Sequence, residues 1–208
     1  MMITSILVLL QNSLHHLWVR KYASALKSDT RYTPSDVFET FPFPDVQGLL
    51  QVKISKISYD YFKLRQDIMV LANIGLTKLY NLYHDSLLGL ENIQWLQNHL
   101  RVMDKLNIYD HVVDLIKELR AKQEELDRLI IESYGWTDIE INLGFYKTEN
   151  ENTIIRFDIH PKVKNEILKR LLLLNQARHK AEKGEHLSTN SPKRLRKKDN
   201  NNSSNLLF

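Results

Sequence analysis

The sequence predicts a mainly α protein: a helical bundle with a small β-hairpin and a disordered basic C-terminal tail. Three observations carry this. Apolar residues recur at spacings of three and four over most of the chain, the mark of helices packed on one face. Only 6 of 208 residues are glycine, which argues for helix and against a Gly-rich nucleotide-binding fold. The one good strand signal lies at residues 141–159, and apolar periodicity stops at Gly184. The hydrophobic share of 43% and charged share of 26% are ordinary for a globular chain. Cysteine is absent, so disulfides and thiolate metal sites are excluded and a reducing, cytoplasmic compartment is the default. The net charge of +4 permits an acidic partner without requiring one.

Taken in order, residues 3–27 read as one helix. Leu7, Leu10, Leu14, Leu17 and Trp18 form its stripe, with Leu9 and His16 beside it. Arg20, Lys21 and Lys27 place positive charge at its end, which suits the dipole. The run from Ile3 to Leu10 lacks a basic n-region and a cleavage site, and it is too short to span a bilayer. The chain thus reads as beginning in the middle of something, inside an apolar helix. Next comes RYTPSDVFETFPFP, Arg31 to Pro44. Thr33 as hydroxyl N-cap, Pro34 at the first helical position and Asp36 three residues after the cap predict one helical turn. Phe41-Pro42-Phe43-Pro44 then forbids helix and forces an extended segment. Such a piece cannot bury two phenyl rings alone and must lie on neighbouring helices.

A second helix is expected over 47–73, with Tyr59, Phe62, Gln66, Met69 and Val70 on one face. Gly75 interrupts it and Leu76–His84 resumes as a short helix. Helices follow over 91–106 and 109–133, the latter striped by Val112, Ile116, Leu119, Leu126 and Ile130 and stopped at Gly135. Ile141–Tyr146 and Thr153–Ile159 read as a hairpin around the polar loop 149–152. Pro161 opens a last helix to about Lys183, with Val163, Ile167, Leu171 and Leu174 in register. Residues 184–208 carry the cluster Lys193 to Lys198 and read as a disordered basic tail. The tail thus separates at 184–208.

Much chemistry is absent. No Walker loop, no GxGxxG and no His-Glu-x-x-His occurs, nor the Asn/Asp-Pro-Pro-aromatic tetrapeptide of amino-methyltransferases. Pro44-Asp45 with Gln51-Val52-Lys53 is too closely spaced for a metal nuclease, and Gln51 replaces the acid a metal needs. His15 and His16 read as core or boundary residues. His84 reads as a donor to free helix-end carbonyls, and Tyr80, Tyr83, Trp95 and Tyr109 as core. No catalytic or metal residues are assigned. The candidate DNA contacts are Arg20, Lys21, Lys27, Arg31, Tyr32, Thr33 and Ser35, which bracket a helix end and a helix start. They combine charge, hydroxyls and N-terminal amides, the groups that meet phosphates. The alternative is a solvated helix end. The tail cluster is a second candidate for loose nucleic-acid binding, or a solubilising segment.

Several segments taken together resemble one family. They are Gln11-Asn12-Ser13 to Trp18 with Lys21-Tyr22, RYTPSDVFETFPFP at 31–44, GLTKLYNLYH at 75–84, Asp127 to Tyr134-Gly135-Trp136, Gly144-Phe145, Arg156-Phe157 and Pro161 to Asn175. The series, spanning about 5–180, resembles the C-terminal end of large MmeI-like adenine DNA methyltransferases of type II restriction–modification systems. Ala23 stands where that family commonly has glycine. The resemblance implies the last part of a target-recognition domain, 1–46, followed by the C-terminal helical domain, 47–183. The family's S-adenosylmethionine core and Asn-Pro-Pro-Tyr motif have no counterpart here, so no cofactor is expected in this chain and no activity carries over. The implied partners are DNA and a methyltransferase polypeptide encoded upstream, with no membrane. The implied function is to position DNA without transferring methyl groups. Two alternatives stand beside it: a structural helical remnant that needs a missing partner polypeptide, and a small nonspecific nucleic-acid-binding protein.

Overall fold

The computed structural model describes residues 10–26, 29–88, 105–147 and 154–189, with side chains left out at 25–30, 105–109 and 184–189. It is mainly helical, with antiparallel hairpins. Helix α1 spans Ser13–Tyr22. Its start is set by Asn12, whose side chain accepts from the His15 N–H at 2.9 Å. The expected helix over 3–27 is therefore shorter. Ala23 turns extended, and β1 (Ser24–Leu26) pairs with β2 (Asp29–Arg31) in a small hairpin. Ser24 is a residue type that competes for backbone groups, which disfavours continuing the helix. The N-terminal part of that expected helix, 1–9, lies outside the described residues.

Pro34–Phe38 is helical, but as a π-turn, with the Glu39 N–H bonded to the Pro34 carbonyl at 2.9 Å. Thr33 occupies the cap position without a side-chain bond. Its carbonyl does the capping instead, accepting from Asp36 and Val37 at 3.0 and 3.1 Å. The Phe41–Pro44 segment lies on its neighbours as its chemistry demands. Phe41 is buried and meets the His15 ring edge-on at 4.8 Å and Phe43 at 4.9 Å. The Phe41 carbonyl accepts from the Phe43 N–H at 2.9 Å, and side chains supply donors to the carbonyls around it. Tyr134 Oη donates to the Pro42 carbonyl at 2.9 Å, Asn175 Nδ2 to Thr40 O at 2.6 Å and an Arg178 guanidinium N–H to Phe43 O at 2.8 Å.

Helix α2 is Gly48–Leu71, α3 is Leu76–Tyr83 and α4 is Lys105–Ser133. On α2 the expected face is the wrong one. Ile54, Ile57, Ser58, Tyr61, Leu64 and Ile68 are buried, whereas Tyr59 is 65% and Val70 81% exposed. Two apolar stripes compete on this helix, and the isoleucine stripe meets α4. The α4 stripe is buried as expected, and Gly135 ends it at φ +71°, a conformation glycine adopts without strain. The expected helix at 91–106 lies outside the described residues up to 104, and 105–106 belong to α4. Strands β3 (Leu143–Lys147) and β4 (Ile155–Ile159) pair antiparallel, Phe145 opposite Phe157. Helix α5 starts at Pro161 and runs to Thr189, beyond its expected end and into the segment read as tail; 190–208 lie outside the described residues.

The apolar interior has two parts. One joins α1, the π-turn, Phe41, Ile54 and Ile57 of α2, Leu126 and Ile130 of α4, Ile159 and α5. The other joins Tyr61, Leu64 and Ile68 of α2 with α3 and with Val112, Ile116 and Leu119 of α4. Residues from both sides of position 46 share the first core. Between the two, α4 presents Gln123 and Asp127, both buried and polar. Asp127 accepts from the Ser13 N–H at 2.8 Å, from Ser13 Oγ at 2.5 Å and from Gln123 Nε2 at 3.1 Å. Burial pushes its carboxyl up to about 7, against the pull of those donors.

Candidate anion-binding cavity

A cavity of about 440 Å³ opens at this polar seam. Arginine side chains reach it from three elements: Arg20 from α1, Arg65 from α2 and Arg156 from β4. His16, His84 and Asp158 also line it, as do the rings of Tyr61, Tyr80, Tyr83 and Phe157. His16 and Arg20 fall one turn apart on α1 and so share a face. Arg65 is steadied by a donation to the Tyr80 hydroxyl at 3.4 Å and lies over the Phe62 ring at 5.4 Å. Asp158 is engaged by Lys164 Nζ at 2.5 Å. Among the described residues, none of Arg20, Arg65 and Arg156 has a carboxylate within salt-bridge distance. Among the described residues that line the cavity, the three arginines outnumber the one carboxylate, Asp158.

Burial first, then Arg156, holds His84 down at about 4 against the opposing pull of Asp158, so its ring is neutral at pH 7. His16 is lowered in the same sense, by desolvation and then Arg20, again against Asp158. His84 does not meet the carbonyls at the end of α3 as its position in the sequence suggested. Arg120 does that, donating to Tyr83 O at 2.9 Å, Leu82 O at 3.2 Å and Asp85 O at 2.7 Å. Its guanidinium lies over both Phe145 at 4.9 Å and Phe157 at 5.2 Å, so it ties α3 to the β3–β4 hairpin that forms the cavity wall. His15, by contrast, belongs to the core, with Nε2 3.2 Å from the Tyr32 hydroxyl.

The candidate contact residues from the sequence divide. Arg20 lines the cavity. Lys21 is exposed in the last turn of α1. Arg31 is exposed too, and the β1–β2 register sets it opposite Ser24, just past the end of α1. Tyr32 is 45% exposed beside His15. Thr33 sits at the start of the π-turn, and the Ser35 hydroxyl is occupied by Asp36 at 3.2 Å. Lys27 lies outside the described residues. Sequence reasoning missed Arg65 and Arg156, because no local motif marks residues that converge from a helix and a strand far apart in the chain.

Among the described residues no group of His, Asp and Glu is placed to hold a metal, and no helix is long and apolar enough to cross a membrane. No protein-family model, no curated protein and no solved structure matches this chain.

Proposed function

We propose that this chain is the DNA-recognition and helical part of an adenine DNA methyltransferase system, positioning DNA without transferring methyl groups itself. The observation that carries the reading is the unpaired basic group at the end of α1. Arg20, Lys21 and Arg31 are exposed and, among the described residues, lack carboxylate partners. Unpaired cations on a fixed helix end bind phosphates by counterion release. The resemblance of the 31–44 and 75–84 segments supplies the family. The Phe41–Pro44 segment, clamped by Tyr134, Asn175 and Arg178, acts as a rigid junction between the basic edge and the helical support. A mobility shift with duplex DNA at low and high salt tests this. Wild-type protein is expected to bind and to lose affinity with salt, and R20A/K21A/R31A to bind at least tenfold more weakly. Unchanged binding in that variant would move the contact to the tail or elsewhere and defeat the reading.

A second reading, a helical unit that docks on a missing partner polypeptide, rests on a different observation. The second stripe of α2 leaves Val52, Tyr59 and Val70 at 64%, 65% and 81% exposure. Under it the isolated chain self-associates in sedimentation velocity and V52S/Y59S/V70S is monomeric. A wild-type chain that stays monomeric at high concentration argues against it.

A further inference from the structure

We propose that the cavity at the seam is a binding site for a nucleoside monophosphate, with the phosphoryl group held by Arg20, Arg65 and Arg156 and the base and sugar placed against Tyr80 and Phe157. The volume of about 440 Å³ lies within the range of small-molecule sites. The charge pattern selects the ligand class. Three arginines from three separate elements line one cavity, and Asp158, the carboxylate on the wall, is engaged by Lys164. Like charges that line one cavity repel, and an anion between them offsets that repulsion. Guanidinium forks match the oxygens of a phosphoryl group. An inorganic anion alone would leave the rest of the cavity unfilled. Tyr80 and Phe157 are half-buried rings on its wall, suited to a planar body, and the Tyr80 hydroxyl is already bonded to Arg65, linking the two halves of the site.

The inference goes beyond DNA positioning and shares Arg20 with it, so the variants that separate the two are those of Arg65 and Arg156, which lie outside the α1-end contact. The same chemistry arrives either as a free mononucleotide or as the phosphorylated end of a DNA strand. Titration calorimetry of the full chain with adenosine monophosphate, ribose 5-phosphate and inorganic phosphate tests it. Adenosine monophosphate is expected to bind at least tenfold more tightly than either of the others. Arg156→Gln is expected to weaken it at least tenfold with an unchanged circular dichroism spectrum, and Arg156→Lys less so. Lys63→Gln, on the exposed side of α2, should change nothing. A 5′-phosphorylated single strand that displaces the nucleotide assigns the source to DNA, and one that does not assigns it to the free nucleotide. Equal binding of all three probes, or full affinity in both Arg65→Gln and Arg156→Gln, overturns the proposal.

Discussion

The two apolar cores and the seam between them obey opposite rules. Within each core every large side chain has found an apolar neighbour: Leu126 and Ile130 with α1 and α5 on one side, Ile116 and Leu119 with α2 and α3 on the other. At the seam a carboxyl is buried, and arginines face a cavity without carboxylate partners among the described residues. Cores are arranged for stability, whereas a region that leaves charge unpaired is arranged for something else. Helix α4 makes the contrast visible along one element, apolar at 116 and 119, polar at 123 and 127, and apolar again at 130.

The largest expected effect comes from the cores. Leu126→Ala and Ile116→Ala should each cost about 2–5 kcal/mol in denaturant unfolding, since both side chains are fully buried. If only one of them lowers stability, the two cores do not unfold as a unit. At the seam, Asp127→Ala strands the Ser13 and Gln123 donors and should cost about 1–3 kcal/mol, while Asp127→Asn, which keeps an acceptor, costs less. Equal losses from the two variants would mean that the donors do not depend on this side chain. At the junction, Tyr134→Phe removes the bond to the Pro42 carbonyl and should cost about 0.5–1.5 kcal/mol.

The histidines sharpen the comparison by pH. His15 in the first core and His84 at the cavity are both lowered from 6.5 to about 4, chiefly by burial, and His16 is lowered too. A histidine of this kind binds its proton more readily unfolded, so its stabilising effect is complete above about 6.5 and is lost as pH falls toward 4. Asp127 acts in the reverse sense: raised from 3.8 to about 7, it favours the folded state at low pH and loses that effect as pH rises through this range. The histidines outnumber it, so net stability should rise from pH 4 to 6.5. Denaturation midpoints at pH 4.5 and 7 check this, and His84→Gln should narrow the gap between them. The smallest effect is on the surface. Lys63→Ala breaks an exposed pair with Asp67 and should change stability by less than about 1 kcal/mol.

The parts legible in the sequence are those where one pattern dominates locally. The stripe of α4, the opening of α5 at Pro161 and the β3–β4 hairpin carry a single periodicity each, and the structure follows it. The need of Phe41 and Phe43 for a support was legible from the prolines alone. The β1–β2 hairpin was not, because its three-residue strands are too short to show alternation. On α2 two apolar stripes compete, and only the position of α4 decides which is buried. Within the cavity, Arg20 was legible as a helix-end cation, but its convergence with Arg65 and Arg156 is a product of tertiary folding.

The most direct test of the contrast is the thermal unfolding of Arg20→Gln/Arg156→Gln. If the seam is kept for anion binding, removing two unpaired charges relieves repulsion, and the midpoint should stay within a degree or rise by a few degrees, on the order of 2–4 °C per kcal/mol for a chain of this size. A midpoint several degrees lower would show that these arginines hold the fold together, and would contradict the reading of the seam as a site.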